Sequence, residues 1–385
     1  MFPTVSHIVQ YFTGVFINLP FKTFGLFVAL AFLAAGLFIN IDLTQKYKQN
    51  KILKTKIKIY KNKHKKIYNY IFIVFSYYFL FFKGIHAFNN YNEFSYDTLS
   101  FIFSSEGSIY GGIIGLFLSL IYIVYFYYYS INKKEEIIER DVMPNDITSN
   151  LLLVTSISGL IGAKFFHQLE NWDDFVSDPF NQLFSGGGLT FYGGLIFGSI
   201  SVIYYVKRFN INSSTIADIM AGPLMLAYAI GRIGCHMSGD GDWGIQNTNT
   251  KPHFLEFIPD WLWAYNYPNN VIRLGVKIQD CTDPLGIYCY KLPYSVYPTA
   301  IYESIICLIL FLILWNLRKK IKISGTLFSI YLIFNFFERF FIEKIRVNNK
   351  IYYDYTQAEI ISFMLIIIGF ISIFVLHLRN NKRKI

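Results

Sequence analysis

Charge is scarce in this chain. Only 16% of its 385 residues are Asp, Glu, Lys or Arg, while 54% are hydrophobic. So little charge, with apolar runs of about 20 residues recurring along the whole length, excludes an ordinary water-soluble domain. Also missing are a phosphate-binding Walker loop and a dinucleotide fingerprint, which leaves no nucleotide-cofactor motif. His64, His86 and His253 lack metal-ligand spacing, so neither a metal nor any other cofactor is expected. No internal repeat is visible. The start, MFPTVSHIVQYF, has neither the basic residues nor the small-residue cleavage site of a signal peptide and is expected to be retained. There are only four cysteines. Cys235 and Cys307 fall in apolar helices as small side chains, while Cys281 and Cys289 share one polar loop and can pair if it lies in an oxidising compartment.

What is present reads as an all-α polytopic membrane protein. Nine spans are expected, at about 21–40, 67–88, 108–130, 148–168, 188–206, 215–237, 297–317, 324–346 and 356–378. The net charge of +10 invites a nucleic-acid reading, but the basic residues alternate between loops, which favours a lipid bilayer and no nucleic acid. Ten lysines crowd 41–66, among them Lys61, Lys63, Lys65 and Lys66, and Lys207, Arg208, residues 318–322 and the tail NKRKI are basic too. Loops 89–107 and 169–187 contain no Lys or Arg but hold Glu93, Asp97, Glu106, Asp173, Asp174 and Asp178. Loop 131–147 is mixed and fits weakly. This bias puts the N-terminus outside and the C-terminus in the cytoplasm. The domain reading is a single integral membrane unit, 1–385, in which 41–147 is a basic cytoplasmic loop plus a helix pair and 238–296 is a folded outer cap. The lysine-rich 41–66 stretch reads as a solvated segment near anionic headgroups.

Two arginines stand out on this apolar background. Arg232 and Arg339 each lie on an otherwise hydrophobic helix, where an arginine facing lipid costs roughly 2.5–3.5 kcal/mol. Such residues face an interior cavity, and a lipid phosphate is the first anion to consider. Glu343 and Arg346 follow Arg339 at four and seven residues, on the same face. Glycine marks three close approaches. Gly159 and Gly162 read as small-residue helix packing, Gly186 to Gly188 precede Tyr192, Gly193 and Gly194, and the stretch GRIGCHMSGDGDWG covers 231–244.

In chain order, LTFYGGLIFG, GRIGCHMSGDGDWG, YPTAIYES, ERFFIEKIR and AEIIS resemble the signature segments of the prolipoprotein diacylglyceryl transferase family, over about 148–378 plus the first span. The resemblance implies a seven-span bacterial inner-membrane protein with a periplasmic outer face, so that 67–130 is an inserted helix pair. It also implies transfer of the diacylglyceryl group of phosphatidylglycerol to the lipobox cysteine thiol of a prolipoprotein signal peptide, with release of glycerol 1-phosphate. By the same likeness Arg232 and Arg339 are the essential arginines, Glu343 orients Arg339 and Arg346 completes their network. Gly193, Gly194, Gly244, one of Asp240 or Asp242, and Lys164 match substrate-side positions. Lys164 reads equally as a structural pairing.

Several positions depart from the family pattern. Tyr192 stands where the family has a histidine, Phe24 and Asn335 replace tyrosines, Cys235 an asparagine, and Tyr297 and Ala300 a histidine and a glutamine. A tyrosine with a pKa near 10 is a poor general base. Either nearby cations activate Tyr192, or it only positions substrate, or another base serves. His236, four residues after Arg232, is the candidate replacement, against a plain headgroup-level histidine. Glu303 and Glu359 read as interhelical hydrogen-bond partners. The rival functions are a membrane lipid carrier or transporter and a non-catalytic lipid- or lipoprotein-binding homologue.

Overall fold

The computed structural model describes residues 1–61, 67–131, 136–184, 188–348, 350–352 and 354–382. Lys63, Lys65, Lys66, Gly186, Gly187 and the last three residues of the basic tail lie outside the described residues. Among those described, nine helices of 17 residues or more follow one another: α1 (Thr23–Lys48), α2 (Ile67–Asn89), α3 (Ile109–Ile131), α4 (Thr148–Glu170), α5 (Phe191–Lys207), α6 (Ser213–Ser238), α7 (Thr299–Leu317), α8 (Thr326–Glu343) and α9 (Gln357–Lys382). The protein is an all-α polytopic membrane protein, with seven of these helices long and apolar enough to cross a bilayer. The expected count of nine is not established on that measure. Helix α5 has 17 residues, and α8 carries Glu338, Arg339 and Glu343 within 18. The chain divides into two compact units, Met1–Ile52 with Val206–Ile385, and Leu53–Tyr205.

In the first unit α6 is the central helix, packed against α1, α7 and α8, while α9 packs on α8. Small residues let its neighbours approach. Ala221, Ala229 and Met225 form a core with Cys307, Phe311, Leu314, Leu327 and Tyr331. At Gly234 a side chain would come within 2.6 Å of the Phe27 Cβ, so only glycine lets α1 seat there. Near the start of α6, Asp218 accepts from the backbone N–H groups of Gly325 (2.7 Å) and Phe328 (2.9 Å), capping α8 from a neighbouring helix. The Arg318 guanidinium lies 3.4 Å from the centre of the Trp315 ring and pairs with Asp42 at 3.0 Å.

Between α6 and α7 the chain folds on its own small core of Trp243, Tyr267, Leu292 and Val296. Buried Asn270 bonds the carbonyls of Tyr267, Leu274 and Tyr290, and accepts from the Leu274 N–H. A two-stranded antiparallel pair, Val276–Lys277 with Tyr290–Lys291, lies beside the Cys281–Cys289 disulfide, so the two loop cysteines do pair. Asp283 accepts from the N–H groups of Ile287 and Tyr288 (2.8 Å each) and meets His7 Nε2 at 2.8 Å, which ties the N-terminal helix Val5–Thr13 to this segment.

In the second unit α2 and α3 form an antiparallel pair whose close contact needs Gly111 and Gly115, each facing a backbone carbonyl of α2. Lys83 is buried and donates to the carbonyls of Phe101, Ser104 and Glu106. Helices α4 and α5 meet glycine to glycine: Gly162 lies against Gly193 and Gly159 against Gly194, with Ser158 donating to Ser201 at 2.7 Å. The lysine-rich stretch is not structureless. Helix α1 continues to Lys48, and Thr55–Lys61 forms an antiparallel ribbon with Glu136–Val142 in full register. Alternation of lysine with isoleucine has the two-residue period of a strand, and the opposite strand supplies acids, pairing Lys54 with Asp141 and Lys56 with Glu139.

The Asp283 tie is pH-sensitive. Burial alone raises this carboxyl, but the His7 contact and the backbone N–H donors outweigh it and hold it below the usual range. A depressed folded-state value contributes stability that is complete above the unfolded value of about 4 and is lost as pH falls below it. Amide exchange at Ile287 and Tyr288 is therefore expected to stay slow from neutral pH to about 4 and to accelerate below. Asp283→Asn should show faster exchange already at neutral pH; slow exchange in that variant would remove the assigned role.

Candidate functional site

The first unit gathers its charges around one buried carboxylate. Glu303 on α7 is fully buried. It accepts from Tyr228 Oη at 2.5 Å and from Arg346 NH1 at 3.0 Å. Arg232 Nε lies 2.7 Å from it and Arg339 NH1 3.6 Å, as ion pairs rather than aligned hydrogen bonds. Arg232 and Arg339, from separate helices, therefore converge on one group. Arg232 also donates to Asp242 through NH1 and to Tyr228 Oη at 3.1 Å. Arg346 donates to the other oxygen of Asp242. Glu343 pairs with Arg339 at 3.2 Å and is held by Asn348 Nδ2 (2.5 Å) and Thr356 Oγ1 (3.0 Å).

The backbone that brings these groups together depends on the glycines of 231–244. Gly239, at φ 65°, ends α6 in the left-handed region, which allows the chain to turn back at once. Gly244 then pairs with Arg346 in an isolated bridge, its N–H bonding to the Tyr297 carbonyl at 2.8 Å. A Cβ there would meet the Ile345 carbonyl oxygen at 2.6 Å and the Thr299 and Tyr297 side chains at 2.9 Å. Glycine at 244 thus lets the segment after α8 lie against the loop, which places Arg346 beside Asp242.

The two acids of this loop separate. Asp242 is half-buried, which alone raises its carboxyl, but the guanidiniums of Arg232, Arg346 and Arg339 prevail and hold it below the ordinary range. Asp240 moves up, through burial first and then the negative charge of Asp242. Asp242 is therefore the acid that joins the arginine network. Asp240 accepts from the Asp242 N–H at 3.3 Å.

His236 is buried, its Nδ1 3.1 Å from Tyr267 Oη and its ring enclosed by Trp261, Tyr265 and Tyr267. Tyr192, Gly193, Gly194 and Lys164 belong to the second unit, Tyr192 and Lys164 half-buried and the two glycines at the α4–α5 contact. Phe24 rests 3.6 Å from where a Gly234 side chain would begin, Asn335 is buried, and Tyr297 Oη accepts from Asn249. Glu359 pairs with Lys344 at 2.6 Å. Sequence reasoning passed over Tyr228 and Glu338 and gave Glu303 too small a part. The available signal was spacing: Tyr228 precedes Arg232 by one helical turn, and an acid four residues into the apolar α7 calls for an internal partner.

The fold and this network define a multi-pass membrane protein with a guanidinium–carboxylate centre buried among its helices. A sequence profile of the prolipoprotein diacylglyceryl transferase family matches residues 120–375. The chain belongs to that family. It is 30% identical over 227 residues to the phosphatidylglycerol–prolipoprotein diacylglyceryl transferase of Leptospira interrogans, a match covering 52% of this chain and 62% of that protein. The enzymes of the same name from Fusobacterium nucleatum and Clostridioides difficile are each 30% identical, over 256 and 252 residues, with 62% and 65% of this chain and 85% and 84% of theirs covered.

Glu303 is the counter-charge common to three guanidiniums, so its neutralisation should be costly. Breaking a buried ion pair by removing one partner costs about 3–5 kcal/mol. Glu303→Gln is expected to lower the thermal midpoint of the purified protein in detergent more than Asp242→Asn does, because the Asp242 side chain is 33% exposed and water can compensate. Equal, small shifts in the two variants would contradict the central place given to Glu303.

Proposed function

We propose that this chain transfers the diacylglyceryl group of phosphatidylglycerol to the lipobox cysteine thiol of a prolipoprotein, releasing glycerol 1-phosphate. The observation that carries the reading is the convergence of Arg232, Arg339 and Arg346 on Glu303, a guanidinium–carboxylate centre inside an apolar bundle. Membership of the family and the names of its relatives support it. Among the three guanidiniums Arg339 is the best placed to take an anion. Its NH1 has no hydrogen-bond partner, it stands furthest from Glu303, and its side chain is the most exposed of the three at 20%. A planar guanidinium binds two phosphate oxygens at once, and its hold tightens as charge collects on the oxygen that leaves.

In this reading the thiolate sulfur attacks the glyceryl carbon that bears the phosphate. The carbon–oxygen bond breaks, its electron pair leaves with the phosphate, and a thioether remains. Arg339 stabilises the departing charge. Arg232 and Arg346 are held beside it by Asp242 and Glu303, and Glu343 fixes the orientation of Arg339. The distribution of basic loops supports an inner-membrane location with residues 238–296 and the N-terminus on the periplasmic side and the C-terminus in the cytoplasm. On that placement the Cys281–Cys289 disulfide meets an oxidising compartment. Helices α2 and α3 are then an addition to the family core, and Tyr192, Gly193, Gly194 and Lys164 are assigned to recognition of the lipid or the peptide.

The test is incubation of the purified chain with labelled phosphatidylglycerol and a lipobox peptide. A thioether product is expected. Arg339→Lys, which keeps charge but loses the planar fork, should lower kcat by about 10²-fold or more with little change in thermal stability. Lipid movement without product would favour a carrier, binding alone a non-catalytic homologue.

A further inference from the structure

The transfer requires that a thiol lose its proton, and the residue at the family's histidine position is Tyr192. The buried centre contains a carboxyl that none of the network uses. Glu338 on α8 is 6% exposed, and neither of its side-chain oxygens has a hydrogen-bond partner. It lies on the inward face of α8 with Tyr331, Asn335 and Ile342, at spacings of four, three and four residues. The charged and titratable groups around it are Glu303 and Cys307 of α7, Arg232 and Tyr228 of α6, Arg339 beside it in the chain, and Arg346.

Its isolation is chemically specific. Asp242 accepts from Arg232 and Arg346, Glu303 from Tyr228 and Arg346, and Glu343 from Asn348 and Thr356. The lone pairs of these three carboxylates are engaged by those donors, whereas both oxygens of Glu338 are left open to an incoming one. A carboxyl inside a membrane helix also carries a desolvation cost, which at Glu338 no hydrogen bond repays.

We propose that Glu338 is the general base for the thiol, an inference that rests on the transferase reading above. Its carboxylate takes the proton from the lipobox sulfhydryl, the sulfur forms its bond to the glyceryl carbon, and the carbon–oxygen bond to phosphate breaks with its electron pair on oxygen. Glu338 then surrenders the proton to the departing phosphate dianion, so the site recovers its starting charge and no co-reactant is consumed. Arg339 does the complementary work of binding phosphate, and His236, enclosed by aromatic rings, has no part in the step.

The experiment uses the full-length protein in phosphatidylglycerol vesicles with two peptides differing only at the nucleophile, cysteine or selenocysteine. A selenol is ionised at neutral pH and needs no base. Glu338→Gln is expected to lower kcat with the cysteine peptide by about 10²-fold or more while KM for lipid stays within a few-fold, and to keep most activity with the selenocysteine peptide. Glu338→Asp should retain part of the cysteine activity, which separates a lost base from a lost fold. Full activity of Glu338→Gln with cysteine, or equal loss with both nucleophiles, overturns the assignment. Absence of thioether from the unaltered protein defeats the transferase reading instead, so the two failures are distinct.

Discussion

A carboxylate with no access to water holds the functional centre together. Glu303 sits in the first turns of an apolar helix, and the cost of burying it is recovered only because Tyr228, Arg232, Arg339 and Arg346 all direct hydrogen atoms or positive charge at it. The dependence is mutual. Three guanidiniums so close together would repel one another in a low-dielectric interior, and each is tolerated because the acid lies between them. Every other element of the site either delivers a member of this group or fixes its orientation.

The short stretch from Gly239 to Gly244 shows how backbone and charge cooperate. The chain must leave α6, present Asp242 to two arginines, and then allow the segment after α8 to lie against it. The left-handed turn at Gly239 and the absent side chain at Gly244 permit this. Trp243, between them, points instead into the core of the outer segment with Tyr267, Leu292 and Val296. The same six residues thus anchor the folded segment outside the bundle and complete the centre inside it. The disulfide and the Asp283–His7 contact add rigidity to that segment.

The second unit relies on different means. Helices α2 and α3 expose most of their apolar surface and contact each other through Gly111 and Gly115, as expected of helices whose solvent is lipid. Polar needs are met locally, with Lys83 directed at carbonyls at the end of the pair. The ribbon of Thr55–Lys61 with Glu136–Val142 is held by matching lysines to acids.

Much of this architecture follows from sequence because the bilayer imposes length and polarity rules with few exceptions. Hydrophobic runs place the helices within a few residues, and the position of Arg232 and Arg339 on apolar helices marks them as interior. Period and charge also encode the ribbon, although its strands are some 75 residues apart in the chain and only pairing reveals it. Neither Asp240 nor Asp242 can be chosen from sequence, since both follow a glycine in the same loop; the choice depends on which carboxylate the turn at Gly239 carries to Arg346, a residue a hundred positions later. Glu303 and Glu338 are likewise two acids on two apolar helices, indistinguishable as letters. One is surrounded by guanidiniums and the other receives no hydrogen bond, a difference made only by how α6, α7 and α8 pack, because the energy of a buried charge is set by neighbours in space.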